Sequence, residues 1–292
     1  MRTYLDCLPC FVRQALDVTR LIGADEELGE HILRDVLQTA SRMDYSQPPP
    51  VMGKYIHRLV RDAAEAPDPY ASLKQSFNRM AMLVYPDLAD RVRQAKNPLE
   101  AAVRLAITGN LIDFGTASGV SEEQVQREVD QALDNPFEGD VASLERAVAQ
   151  ADSILYLFDN AGEIAFDCLL LELLPLERVV GVVKPSPIIN DATLEDARAC
   201  GITDMIPVVD TGSDAPGAVL ADCGEEFLRH YRRADLILAK GQGNYEALSH
   251  TEKDAFFLLK AKCSVVASDL GCPVGTMMLT RSGGRGSRGD PG

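Results

Sequence analysis

Histidine is scarce in this 292-residue chain. His31, His57, His230 and His250 show no metal-ligand spacing such as H-E-x-x-H. Chemistry built on imidazole is therefore poorly supported, and carboxylates and amides are the better-supported groups. Basic residues are also few: 29 Lys and Arg face 44 Asp and Glu, a net charge of −15. Such a surface repels polyphosphate backbones, which argues against general nucleic-acid binding. Long apolar runs are missing too. The longest candidate, 168–176, is broken by Glu172 and Pro175, well short of the roughly 18 to 20 residues a membrane helix needs. Met1-Arg2-Thr3-Tyr4-Leu5-Asp6 does not feed an apolar core, so no secretory signal is expected. Seven cysteines, an odd number, do not make a disulfide framework, and a reducing cytoplasm is the expected compartment. What is present is globular composition, 46% hydrophobic and 25% charged, at a length that suits two modest domains or one large one.

The two halves carry different periodicities. Up to about residue 148 the pattern is helical: Val12, Ala15, Leu16, Thr19 and Ile22 share a stripe, and Leu73, Phe77, Met80 and Leu83 share another. Pro48-Pro49-Pro50 and Asp68-Pro69 are breaks between helices. Ala101 to Ile112 reads as a buried helix, and Ser121 caps a further one. After that, short apolar runs start about every 25 to 31 residues, at 154–158, 179–183, 205–209, 236–239 and 264–267. Helical stretches fill the gaps at 163–174, 194–200, 219–231 and 245–260. Alternation at this spacing predicts βαβ units and a mostly parallel sheet flanked by helices. The expected fold is thus α/β, with an all-helical N-terminal domain over 1–148 and an α/β metal-binding domain over 149–280. Residues 281–292, with five glycines and no apolar side chain, form an expected disordered tail.

In open parallel sheets ligands bind beyond the carboxyl ends of the strands. Asp159-Asn160 stands at the first such end, and Asp191 lies in the loop after the second. Carboxylate and amide oxygens suit Mg²⁺ or Mn²⁺ better than a thiophilic metal. An equally open reading is that Asp159 and Asn160 only make the turn and cap the next helix. Lys240-Gly241-Gln242-Gly243-Asn244, at the fourth strand end, has glycines that let backbone amides approach an anion and a lysine that adds charge. It matches neither a Walker loop nor G-x-G-x-x-G, and a surface turn fits it as well. Cys7-Leu8-Pro9-Cys10 is a C-x-x-C at a helix start, open to metal or redox chemistry. No second C-x-x-C completes a zinc site, and no strand precedes it as in thioredoxin.

Four segments in order resemble the damage-control phosphatase family, long called a domain of unknown function and including the acidic-residue methyltransferase-like proteins. They are Gly109-Asn110-Leu111-Ile112-Asp113, Asp159-Asn160-Ala161-Gly162-Glu163, Pro187-Ile188-Ile189-Asn190-Asp191-Ala192-Thr193 and Lys240-Gly241-Gln242-Gly243-Asn244-Tyr245-Glu246. The C-x-x-C and the 258–263 run resemble the prokaryotic branch, and the likeness covers about Thr3 to Met278. It implies a divalent-metal-dependent phosphatase acting on small phosphometabolites, sugar or nucleotide phosphates. It implies Asp159, Asn160 and Asp191 as ligands for Mn²⁺, Co²⁺, Ni²⁺ or Mg²⁺, and Lys240 as a phosphate contact beside Gly241, Gly243 and Asn244. Asn110 and Asp113 would lie over the same site, Asn110 on the substrate. Asp113 and Glu163, as carboxylates in matching motifs, are the candidates for activating water. The expected partner is a small phosphorylated metabolite, with no nucleic acid and no membrane. One departure is that Gly271 to Met278 runs straight into the Gly/Arg tail, so a final sheet element is expected to be cut short.

Three rivals remain. A covalent phosphatase with Asp159 as nucleophile needs a carboxylate two residues on, where this chain has Ala161. A carboxyl methyltransferase would want a glycine-rich loop after the first strand, where only Gly162 stands. A non-enzymatic metal or thiol sensor would use Cys7 and Cys10.

Overall fold

Asp25 opens a helix by accepting the Leu28 N–H at 2.9 Å, and Glu26 and Glu27 follow in the first turn. The computed structural model describes residues 1–64, 68–108, 130, 133 and 135–283. Three helices come first: α1 (Cys7–Leu21), α2 (Glu26–Ala40) and α3 (Pro50–Ala64). The last of the three prolines is the first residue of α3, where a missing N–H is harmless. Phe11, Ala15 and Val18 of α1, Ile32 and Val36 of α2, and Met52, Ile56 and Val60 of α3 make one apolar core. The longer α4 (Ala71–Gln94) and the shorter, apolar α5 (Pro98–Thr108) follow.

The sheet has seven strands: β1 (Phe137–Gly139), β2 (Ile154–Leu157), β3 (Val179–Val183), β4 (Val208–Asp210), β5 (Leu236–Lys240), β6 (Ala255–Lys260) and β7 (Met277–Arg281). Their spatial order is β1-β7-β6-β5-β2-β3-β4, parallel throughout except between β6 and β7. Side chains alternate between its faces. Ile154, Tyr156, Leu236, Leu238, Phe256 and Leu258 join the core under α4, α5, α6 (Val141–Gln150) and α7 (Glu163–Leu171). Leu155, Leu157, Ile237, Ala239, Phe257 and Leu259 join the opposite core, with α10 (Glu225–Arg233), α11 (Gly241–Leu248) and α12 (Ser264–Leu270). Two short helices, α8 (Leu194–Ala199) and α9 (Ile202–Met205), link β3 to β4. The expected mostly parallel α/β architecture is therefore what forms, and β1 and the helices α4 and α5 belong to its layers.

Several sequence expectations are corrected. The run 264–267 is helix, because the Cys263 sulfur accepts from Val266 N–H and Gly271 ends the turn in the left-handed region. The strand sits earlier: the stretch 245–260 breaks at Leu248, and Ala255–Lys260 is β6, apolar on both faces as a covered strand requires. The run 205–209 divides into the end of α9 and β4. The helix expected over 219–231 is a 3₁₀ turn at Leu220–Asp222 followed by α10. The final sheet element is present: β7 carries the chain to Arg281 and lies between β1 and β6. The rest of the tail from 284, and the expected cap at Ser121, lie outside the described residues. Among the described residues no helix is long and apolar enough to cross a membrane.

Candidate active site

The chain leaves β2 toward β3 and β4 on one side of the sheet, then returns to β5 on the other side of β2. The crevice at such a reversal, beyond the carboxyl ends, is where this architecture receives ligands. Asp159 and Asn160 follow β2 directly into a turn that Gly162 completes at φ 78°. The loop after β3 folds back against it. Asn160 bridges Asp191, Ala161 N–H donates to Asn190 O at 2.8 Å, and Ala192 N–H donates to Asp159 O at 2.7 Å. Ile189 takes φ 47° in that loop, a left-handed conformation that a β-branched residue rarely adopts. The two segments separated by some thirty residues of sequence are thus laced together by backbone, and Asp159, Asn160 and Asp191 meet.

The third wall is the start of α11. Gly241 takes φ 78°, and a Cβ placed there would fall 1.9 Å from Asp159 Oδ2, so the Asp159 carboxylate lies directly on the glycine. Gly217, in the loop after β4, packs on this helix start: a Cβ there would stand 2.2 Å from Gly243 O, whereas a Cβ on Gly243 would meet nothing nearer than 3.4 Å. Gly241 and Gly217 therefore serve close approach within the protein. Asn244 is 2% exposed, and its amide donates to Lys240 O at 2.8 Å and Phe158 O at 3.2 Å, tying the ends of β5 and β2.

Lys240 differs from the sequence expectation of an ammonium open to a phosphate. It is 0% exposed, and Nζ donates to Ala106 O at 2.6 Å and to Glu163 Oε1 and Asp167 Oδ1 at 2.7 Å each. An ammonium has three donors, and all three are taken. Burial works against its charge, but Asp167 and Glu163 hold it above the usual lysine range. Tyr156 adds a hydroxyl to Asp167 Oδ1 at 2.7 Å. Glu163 then reaches outward, its Oε2 accepting from Asn160 Nδ2 at 3.1 Å. A hydrogen-bonded chain runs from the core to Asn160, whose amide also donates to Asp159 Oδ2 at 2.8 Å.

The electrostatics of the crevice favour a cation. Burial, Glu163 and Asp191 together push the Asp159 carboxyl well above its ordinary value, against Lys262 and Lys240. Burial pushes Asp191 up to about 6, with Lys184 opposing. Lys184, at the end of β3, spends its ammonium on Gly217 O at 2.6 Å and stands 3.8 Å from Asp191 Oδ2. That carboxylate oxygen is buried with no hydrogen-bond partner. An orphaned carboxylate oxygen, a second carboxylate and an amide oxygen, close together in a carboxylate-rich crevice, form a donor set that fits a hard divalent ion. Among the described residues no three His, Cys, Asp or Glu side chains form a metal cluster, so the fit depends on the Asn160 amide completing the set.

Sequence reasoning missed four groups here. Asp167 is four residues beyond Glu163 on α7, a spacing that places both on one helix face. Lys184 follows β3 directly, as Phe158 and Asp159 follow β2. Arg58 and Arg61 of α3 hold Asp214 at 2.7 to 2.8 Å, and Arg61 also donates to Pro187 O, so α3 pins the loops after β3 and β4. No local signal ties residues so far apart in sequence. Asn110 and Asp113 lie outside the described residues. Cys7 is half-buried and Cys10 exposed, both unpaired, and burial raises both thiols, with the charges of Cys263 and Glu246 adding. A raised thiol is a poorer nucleophile than an activated one.

The model of the damage-control phosphatase ARMT1-like domain matches residues 3–278. A damage-control phosphatase of Pyrococcus horikoshii is 34% identical over 97% of this chain and 99% of its own. A damage-control phosphatase of Archaeoglobus fulgidus is 33% identical over 93% and 96%. An uncharacterized protein of Methanocaldococcus jannaschii is 36% identical over 94% of each. The crystal structure of a DUF89 family protein from Pyrococcus horikoshii superposes with a TM-score of 0.86 at 33% identity, covering 97% of this chain and 99% of the other. With the family model spanning nearly the whole chain, these likenesses establish that the protein belongs to the damage-control phosphatase ARMT1-like family.

Proposed function

We propose that the protein is a divalent-metal-dependent phosphatase that hydrolyses small phosphorylated metabolites, sugar or nucleotide phosphates. The observation that carries this reading is the convergence of Asp159, Asn160 and Asp191 at the strand-order reversal, with a buried Asp191 oxygen left without a hydrogen-bond partner. Family membership supports the phosphatase part. Asp159, Asn160 and Asp191 would hold the ion. A divalent cation supplies Lewis-acid stabilisation of the charge that develops on a transferring phosphoryl group.

The chain's own residues do the rest. Asn160 is oriented through its amide nitrogen by Asp159 and Glu163, which leaves its carbonyl oxygen for the cation. Glu163 is itself fixed by Lys240, so both of its oxygens are engaged and it acts here as a positioning residue. That arrangement leaves Glu163 no free oxygen to take a proton from water. Lys240 holds the negative charge of Glu163 and Asp167 in place under the site. The glycine at 241 admits the Asp159 carboxylate against the N-terminus of α11, where the helix dipole favours negative charge.

The test is phosphate release from a panel of sugar and nucleotide phosphates, using chelator-treated protein and protein resupplied with Mn²⁺, Co²⁺, Ni²⁺ or Mg²⁺. The expected outcome is hydrolysis only after resupply, abolished in a folded Asp159→Ala variant. Hydrolysis that survives complete metal removal, or a fully active Asp159→Ala, would defeat the reading.

A further inference from the structure

From helix α4 one side chain reaches both the turn that carries Asp159 and Asn160 and the start of α8, which follows the loop of Asp191. Asn78 is 4% exposed. Its Oδ1 accepts the Gly162 N–H at 2.7 Å, and its Nδ2 donates to Asp196 Oδ1 at 2.8 Å. Gly162 completes the turn that presents Asp159 and Asn160. Asp196 caps the segment that follows Asp191: its Oδ2 accepts from Thr193 N–H at 2.8 Å and Thr193 Oγ1 at 2.7 Å. Lys74, one turn before Asn78 and also 4% exposed, binds the same Asp196 Oδ2 at 2.8 Å. Phe77 closes the remaining space, since a Cβ on Gly162 would lie 2.8 Å from Phe77 Cβ.

The chemistry of these contacts selects asparagine. A backbone N–H on one side demands an acceptor, and a carboxylate on the other demands a donor. A carboxamide offers both from one short planar group, whereas aspartate offers acceptors only. We infer that Asn78 is a positioning residue that sets the placement of the Asp159–Asn160 turn relative to the Asp191 loop, with Lys74 fixing the Asp196 end of the link. The inference rests on the proposed role of these loops in holding the ion.

Two readouts test it: amide hydrogen exchange of the metal-free protein, resolved over 159–164 and 190–196, and calorimetric titration with Mn²⁺. Asn78→Ala should speed exchange in both segments and weaken Mn²⁺ binding by about 10- to 100-fold, the range for loss of an outer partner of metal ligands. Asn78→Asp keeps the shape and the bond to Gly162 but sets like charge against Asp196. It should speed exchange over 190–196 while 159–164 stays near the parent, which also decides the matter if the alanine variant does not fold. Parental exchange in both loops of either folded variant, or faster exchange confined to α4, would overturn the inference. If the parent protein itself binds no Mn²⁺, the metal reading fails, and the segment-by-segment exchange still decides whether Asn78 links the loops.

Discussion

Lys240 donates to a carbonyl and two carboxylates without reaching solvent, so its removal leaves charge behind in the core. Lys240→Met should therefore act on stability first. Breaking a buried ion pair from one side costs about 3 to 5 kcal/mol, far more than an open phosphate contact would. Chemical denaturation should show a large loss of unfolding free energy even without substrate; a parental midpoint with a modest drop in kcat/KM would return Lys240 to the phosphate. Glu246 offers a different residue-scale test. Burial pushes its carboxyl from the ordinary 4.5 up to about 7, with its hydrogen bond from Gln242 opposing. The folded state thus holds a proton that the unfolded state releases between those values. For a raised carboxyl, unfolding free energy falls as pH rises through that window. Glu246→Gln should flatten the fall in Tm between about pH 5 and 7. An unchanged slope would show that Glu246 does not titrate there.

At the scale of elements, what matters is how tightly strand ends and helix starts are pressed together. The turn after β2, the loop after β3 and the start of α11 meet where no side chain beyond hydrogen fits at position 241. Gly241→Ala would combine a left-handed backbone, disfavoured by about 1 to 2 kcal/mol for a non-glycine residue, with a Cβ driven into the Asp159 carboxylate. The expected result is a lower Tm and weakened Mn²⁺ binding together. Gly201→Ala makes the comparison, because Gly201 is also left-handed, at φ 75°, yet meets nothing within 4 Å. It should lower Tm and leave Mn²⁺ binding as in the parent. Equal effects of the two on metal binding would remove the close approach from the explanation.

For the whole molecule, the crevice is assembled by parts distant in sequence. Helix α3 pins the loops after β3 and β4 through Arg58, Arg61 and Asp214, while α4 and α5 cover the sheet face on which Lys240 meets Glu163 and Asp167 of α7. The proposed ion, bound by the folded state alone, would add to stability by mass action. At about a hundredfold excess over Kd, Mn²⁺ should raise the unfolding free energy by about 2.7 kcal/mol. Asp159→Ala should abolish that gain, and a gain that persists in the variant would place the ion elsewhere.

Alternation of short apolar runs with helices was enough to predict a mostly parallel α/β sheet, because burial on both faces demands such runs. Strand-end position drew attention to Asp159, Asn160 and Asp191, since the carboxyl edge is where loops from neighbouring strands converge, but it left a turn-and-cap reading equally open, and the family resemblance supplied the metal role. Residues 255–260 and 264–267 were misread because short apolar runs do not by themselves distinguish strand from helix; neighbours and caps decide. The direction of Lys240 was legible in principle. It stands two positions beyond Leu238 and four beyond Leu236, and all three share the face under α5 and α7 because strand side chains repeat every two residues. What no local pattern contained is that Glu163 and Asp167 of α7 wait over that face to take its charge, or that Asn78 reaches the turn after β2 and the start of α8 at once. Those pairings join residues 73 to 118 positions apart, and only the packing of helices on the sheet brings them within hydrogen-bond distance.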